Sequence, residues 1–540
     1  MTLHMKSVRH LGDLVSRRWS VAFVLALAAW SVYSTMLNHD VAYYLLLARG
    51  LDEGRELYAT FPDYGLPANG WLALLSLRVS SALALPLVET HQCVLFLLAA
   101  TGAIAAGLIL ERLFGGETVA GRTAMLLTVA VFLLYPGYDF GQRDYLFAVL
   151  VAPLVLTVAG RHFGLRPGTG LSAMVVITAM IGGSFKPQFA LPLLTLGVVE
   201  LALRRGRLRA VAGELWVAGG GLIAYVALVH ILYPAYFTAV LPSAVAVYGS
   251  YAGSMNSSLF MHLLRAAVGV SFACGMVILL LYAPGFRPSR RHLALTAGWF
   301  AFGASLLAMF ILQRQGFIYH LLPFSLFSLL SAGVFGLLVL GRSSIASSMK
   351  SAVVSATLAI VIVGGAGAIA AIEPGRSRAN ALEDPVSRIL TRLPARTPVM
   401  ALSTGVAPLS PLHAYADIRW TGAFGALIEL MAIVQDREAA AREGRPRKPE
   451  LADAERDVRR RVLLSLTEPR PAMVFVNVSQ TPRWFEHYGR PFSILAFLLE
   501  DTRFAAEWSN YEPVAETQSL FGVKILSYRL RKNYLPGVQS

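Results

Sequence analysis

Two kinds of residue in this chain can do chemistry at a membrane surface. Carboxylates can take a proton or hold a metal, and cations can neutralise a phosphate. The first carboxylate is Asp40, in the polar stretch Asn38-His39-Asp40-Val41-Ala42-Tyr43-Tyr44 that follows the first apolar run. Two more, Asp139 and Asp144, lie in Tyr135-Pro-Gly-Tyr-Asp-Phe-Gly-Gln-Arg-Asp144. The cations are Lys186 in Gly182-Gly-Ser-Phe-Lys-Pro-Gln188, Arg265 just inside a later apolar run, and Arg314 in Gln313-Arg-Gln-Gly-Phe-Ile-Tyr-His320. Tyr319, His320, Tyr248 and His39 complete the candidates as substrate contacts; no residue is assigned as a metal ligand. An ionisable group near hydrocarbon is costly and usually marks a functional site. Plain structural roles compete with each reading. Asp40 and Asp144 can cap helices, Asp139 can belong to a turn, Arg265 can snorkel, and the tyrosines and His320 can anchor an interface.

Positioning such groups requires a membrane frame, and the composition supplies one. Of 540 residues, 56% are hydrophobic and only 15% charged, with a mean hydropathy of +0.57. A soluble chain carries about a quarter charged residues, so most of this one is embedded in a bilayer. The net charge of +15 does not signal nucleic acid. The arginines fall in short clusters between apolar runs, as positive-inside topology requires. Cys93 and Cys274 are the two cysteines; both stand in apolar runs and read as small buried hydrophobes.

Crossing a bilayer takes about 20 apolar residues. Such runs fall near 20–37, 91–110, 121–136, 145–160, 169–185, 188–203, 211–232, 260–283, 294–312, 321–340 and 352–372, about eleven spans in a polytopic α-helical protein. The run at 67–88 contains Arg78 and follows Pro67-Ala-Asn-Gly-Trp71, which suits an interfacial helix. With that choice the clusters at Arg112/Arg122, Arg161/Arg166, Arg204–Arg209, Arg287–Arg291 and Arg342/Lys350 share the cytoplasmic face with the N-terminus. Asp40, the 136–144 and 234–258 loops, Lys186 and Arg314 then gather on the outer face, where one cavity opening away from the cytosol is expected. A lipid phosphate would bring its head to this depth. Residues 373–540 return to soluble charge density, with β-like runs at Pro398–Ser403, Ala472–Val478 and Val523–Leu530. Helical stretches lie at Gly422–Gln435, Glu450–Leu466 and Pro491–Leu499. The pattern divides the chain into a membrane domain at 1–372 and an extracytoplasmic α/β domain at 373–540.

The order Asp40, Tyr43/Tyr44, Gly50, Gly54, Tyr58, Asp63, Pro67 resembles the first outer loop of GT-C glycosyltransferases. So do the interfacial helix, the span ending Glu111-Arg-Leu-Phe-Gly115, the acidic second outer loop and the Lys between two short spans. The layout over residues 20–340 is most similar to protein O-mannosyltransferases and aminoarabinose transferases of lipid A. The resemblance implies a plasma-membrane transferase that takes a sugar from a polyprenyl-phosphate donor and passes it to a glycan, lipid or protein acceptor, with inversion. It implies Asp40 as catalytic base, Asp139 or Asp144 as second acid, and Lys186 with Arg265 or Arg314 on the donor phosphate. It leaves a divalent cation, Mg or Mn, open as cofactor. His39-Asp40 stands where the mannosyltransferases have Asp-Glu. The alternative from another class is a transporter or flippase for a lipid-linked glycan; Lys186-Pro187 would be its broken helix.

Overall fold

A computed structural model describes residues 19–58, 63–116, 118–250, 290–313, 317–342, 376–423, 425–482, 485 and 491–531. The expected spans at 260–283 and 352–372 lie outside these residues, as do Arg265, Arg314 and Cys274.

The helices of the first part are α1 Trp19–Ser34, α2 His39–Asp52, α3 Ala68–Leu83, α4 Leu87–Leu113, α5 Val119–Leu134 and α6 Arg143–Arg161. They continue with α7 Thr169–Gly183, α8 Ala190–Leu203, α9 Gly213–Leu232, α10 Leu241–Ser250, α11 Arg290–Gln313 and α12 Leu322–Arg342. After these come α13 Arg378–Glu383, α14 Pro385–Arg392, β1 Thr397–Leu402, β2 Ile418–Trp420, α15 Leu430–Glu443 and α16 Pro449–Thr467. The chain then runs through β3 Met473–Asn477, α17 Ile494–Leu499, α18 Thr502–Trp508, β4 Tyr511–Gln518 and β5 Lys524–Leu530. Nine of the expected spans have a helix among the described residues. Among the described residues four helices are long and apolar enough to cross a bilayer: α4, α6, α9 and the Thr296–Gln313 part of α11. The run at 67–88 resolves into a separate helix, α3, ended by Ala84 in the left-handed region.

The chain forms two compact units. The first comprises Met1–Ser34, Gln92–Ala227 and Asn256–Ile372; the second comprises Thr35–His91, Leu228–Met255 and Glu373–Ser540.

In the first unit α6 is the central element, buried over most of its length, whereas α9 is apolar and almost wholly exposed. A helix apolar on all sides belongs inside a bundle. Gly182 of α7 lies against Leu150 and Val151 of α6, where an added Cβ would meet Leu150 Cβ at 3.0 Å. Small residues permit this close approach between membrane helices. Trp299 of α11 donates its indole N–H to Ser331 Oγ of α12 at 2.8 Å. Cys93 is exposed rather than buried; it falls on the face of α4 turned away from the core, where a small apolar thiol suits lipid as well as protein.

In the second unit β1, β2 and β3 are parallel, β5 runs antiparallel to β3, and β4 runs antiparallel to β5, giving the order β2-β1-β3-β5-β4. Met400, Leu402, Val474 and Val476 of the central strands pack on Leu430, Ile433, Val458 and Val462 of α15 and α16, and Val247 of α10 joins this core. Residues 236–250, expected as part of an outer loop, are therefore helical. Their small and aromatic residues pack well on one helix face, and Ala244 and Val247 are buried. The C-terminal part also grips α2. The Tyr415 hydroxyl accepts the Leu37 N–H at 2.8 Å, Ser410 Oγ donates to the His39 carbonyl at 2.5 Å, and Gly425 lies directly on the Tyr43 ring.

Candidate functional site

The first unit gathers a buried polar cluster from three chain segments. The turn 136–142 passes through Gly137 and Gly141, both at positive φ, a conformation that costs glycine little. It delivers Asp144 into the first turn of α6, where a carboxylate suits the helix dipole. The N-cap of α6 is Gln142, so Asp144 is not a cap. Lys186 follows α7 in extended backbone, φ −141° and ψ 141°. Pro187 enforces that geometry on the residue before it and opens the next helical segment. Lys186 Nζ lies 2.5 Å from Asp144 Oδ2, with the two side chains 6% and 0% exposed. Asp144 thus pairs with Lys186, and not with the neighbouring Arg143. Gln313, the last residue of α11, presents Oε1 to the same Nζ at 3.4 Å.

Tyr319 and His320 fall in the short helical turn before α12. The Tyr319 ring is 5.9 Å from Lys186 Nζ and stacks on Phe317 at 5.3 Å. His320 is buried, and the charges acting on it are those of Lys186 and Arg143. Among the described residues three polar atoms of this cluster are buried with no hydrogen-bond partner: Asp144 Oδ1, Gln313 Nε2 and His320 Nδ1. Each such atom costs about 1–3 kcal/mol until something pairs with it. Asp139 is half-buried in the 137–139 turn.

An apolar slit of about 30 Å³ continues along the same three helices. Phe147, Val151 and Val155 of α6, Trp299 and Leu306 of α11, and Phe327 of α12 line it. Phe147 also stacks on Phe189 at 4.2 Å, and Lys186 Nζ stands 5.9 Å from that second ring. The slit therefore begins one turn beyond Asp144.

The second unit carries Asp40. Asn38 is the N-cap of α2, its side chain accepting from the Asp40 N–H at 2.9 Å. The capping role is thus filled by Asn38, and Asp40 stands in the first turn with its carboxylate directed elsewhere. Asp40 Oδ1 lies 3.6 Å from His39 Nε2, with 17% and 27% of the two side chains exposed. Tyr248 packs edge-on against Tyr64 at 5.5 Å. Tyr64 donates its hydroxyl to Glu429 Oε1 at 2.9 Å. Burial pushes the Glu429 carboxyl up to about 7. Burial and the nearby Asp63 carboxylate raise the Tyr43 hydroxyl well above its ordinary range.

Gln313 and Glu429 were not singled out from sequence. Gln313 closes a long apolar helix, and Glu429 interrupts Ala426-Leu-Ile-Glu-Leu-Met431; a polar residue in such a setting was the available signal. Among the described residues no group of three or more His, Cys, Asp or Glu side chains gathers to hold a metal. His39 and Asp40 offer two donors, and Lys186 occupies Asp144.

No family model matches the sequence, and no curated protein matches it. Solved structures of low sequence identity share its fold along nearly the whole chain. The fold is similar to that of ArnT from Cupriavidus metallidurans. Its apo crystal structure is 12% identical over 96% of this chain and 98% of that one, with a TM-score of 0.55. Its structure bound to undecaprenyl phosphate is 13% identical over 98% and 99%, with a TM-score of 0.54.

Proposed function

We propose that this protein is an integral-membrane glycosyltransferase that takes a sugar from a polyprenyl-phosphate donor and passes it to a glycan, lipid or protein acceptor outside the cytoplasm. The observation that carries the reading is the buried Lys186–Asp144 pair at the head of an apolar slit, on a fold shared with a structure that holds undecaprenyl phosphate. A lipid phosphate has this amphipathic form.

In the proposed reaction Lys186, with Arg265 and Arg314, neutralises the donor phosphate. Asp144 holds Lys186 in position while no donor is present. Asp40 takes the proton from an acceptor hydroxyl as its oxygen bonds to the anomeric carbon. The bond from that carbon to the phosphate oxygen breaks, and the lipid phosphate leaves with the electron pair, stabilised by fixed cations. Attack opposite the leaving group inverts the anomeric centre. Tyr319, His320, Tyr248 and His39 serve as substrate contacts.

Radiolabelled polyprenyl-phosphate sugar supplied to the purified protein in detergent tests this directly. A transferase forms labelled product, or labelled free sugar by transfer to water, without a sealed membrane. A transporter, which the helix break at Lys186-Pro187 also suits, leaves the donor intact under these conditions.

A further inference from the structure

We infer that Gln313, His320 and the Oδ1 oxygen of Asp144 form the subsite for the sugar ring of the donor, beside the phosphate that faces Lys186. The inference rests on the lipid-phosphate reading above and divides that site into two parts with different chemistry.

The argument is one of charge and of hydrogen-bond direction. Lys186 and Asp144 lie 2.5 Å apart, both buried, and their charges cancel. What remains unpaired beside them is mixed. Asp144 Oδ1 can only accept, the Gln313 Nε2 amide can only donate, and His320 Nδ1 does either according to tautomer. The phosphodiester group itself carries acceptor oxygens and no donor at neutral pH, so it satisfies the Gln313 amide but is repelled by Asp144 Oδ1. A hydrocarbon satisfies none of the three. Hydroxyl groups donate and accept, and neighbouring hydroxyls on one ring do both within a few ångströms. The neutral, hydroxyl-bearing part of the donor fits this set.

Position supports the division. Asp144 and Gln313 both touch the same ammonium group, through Oδ2 and Oε1 respectively, so their remaining atoms flank it. The Tyr319 ring stands 5.9 Å from that nitrogen and is held by stacking on Phe317. An aromatic face of this kind suits the C–H face of a sugar. Gln313, Tyr319 and His320 all come from the ends of α11 and α12 that border the apolar slit, which accounts for the ring, the phosphate and the hydrocarbon chain along one set of helices.

The test compares two probes on purified protein in detergent: bare polyprenyl phosphate and polyprenyl phosphate carrying mannose, glucose or arabinose. The wild-type protein should bind at least one sugar-bearing probe more tightly than the bare lipid. Gln313→Met should weaken that binding roughly tenfold or more, because a buried partner is lost, and leave bare polyprenyl phosphate within about twofold. His320→Gln provides a second variant should Gln313→Met fold poorly. Lys186→Met should weaken both probes. Equal loss of both probes in the Gln313 and His320 variants, or no loss of either, overturns the sugar subsite, and an ordered water would then pair these atoms. A wild-type protein that binds bare polyprenyl phosphate but prefers no sugar-bearing probe also overturns the subsite and leaves the lipid-phosphate reading standing. Binding of neither probe by the wild type removes that reading itself.

Discussion

Asp40 and Asp144 occupy the same kind of place, the first turn of a helix just after an uncharged capping residue, yet their surroundings differ. Asp144 is fully buried and already holds a cation at 2.5 Å. Asp40 is partly open to solvent, with a histidine 3.6 Å away and its helix anchored by the C-terminal part of its unit. A carboxylate locked to a buried ammonium is a poor base, because taking a proton would break the pair. A partly exposed carboxylate beside an imidazole can exchange protons. In the proposed reaction Asp144 accordingly positions Lys186, and Asp40 transfers the proton. Glu429 supplies a third case. It is buried like Asp144 but meets a tyrosine hydroxyl instead of a cation, and its proton is held up to about pH 7.

The largest effect is expected at the pair. Lys186→Met leaves a buried carboxylate uncompensated and should cost about 3–5 kcal/mol of stability together with turnover. The double variant Lys186→Met/Asp144→Leu should regain most of the stability and none of the activity, read by thermal unfolding and product formation. A single variant as stable as the wild type would break the contrast between the two acids. Asp40→Asn should behave in the opposite way. Its unfolding midpoint should move by no more than about 0.5 kcal/mol, while turnover falls roughly 10²–10⁴-fold. Unchanged turnover would take the base role from Asp40.

Glu429→Gln sharpens the comparison on the stability side. Between pH about 4.5 and about 7 the folded state keeps the proton that the unfolded state has released. Wild-type stability should therefore fall as pH rises through this window and stay low above it. Glutamine keeps an acceptor for Tyr64 and removes the ionisation, so the variant should match the wild type near pH 4 and exceed it at pH 8 by on the order of 3 kcal/mol. A difference that does not change with pH would refute the role of burial.

β1 and β3 were readable in the sequence because they are apolar runs buried along most of their length, and β5 because its apolar residues alternate with polar ones. Pro398–Ser403, Ala472–Val478 and Val523–Leu530 fall within a residue or so of β1, β3 and β5. The edge strands were not. Ile418–Trp420 is three residues long, and Tyr511–Gln518 carries two glutamates and a proline with most of its side chains at the surface. In α16 the expected Glu450–Leu466 is almost the whole helix. In α15 the helix starts eight residues later than expected and runs on to Gly444 in the left-handed region; Gly425, inside the expected helix, instead belongs to the close approach onto Tyr43. For the site, the residue types were legible and the partners were not. Lys186 and Asp144 are 42 positions apart, and only the packing of α7 on α6 at Gly182 brings them together. Periodicity carries no record of such a meeting.

The most direct measurement is a structure of the protein with polyprenyl phosphate bound. The account predicts phosphate oxygens within hydrogen-bonding distance of Lys186 Nζ and the prenyl chain entering the slit beside Phe147. A phosphate bound away from Lys186, with the Lys186–Asp144 pair undisturbed and the slit empty of lipid, would contradict it.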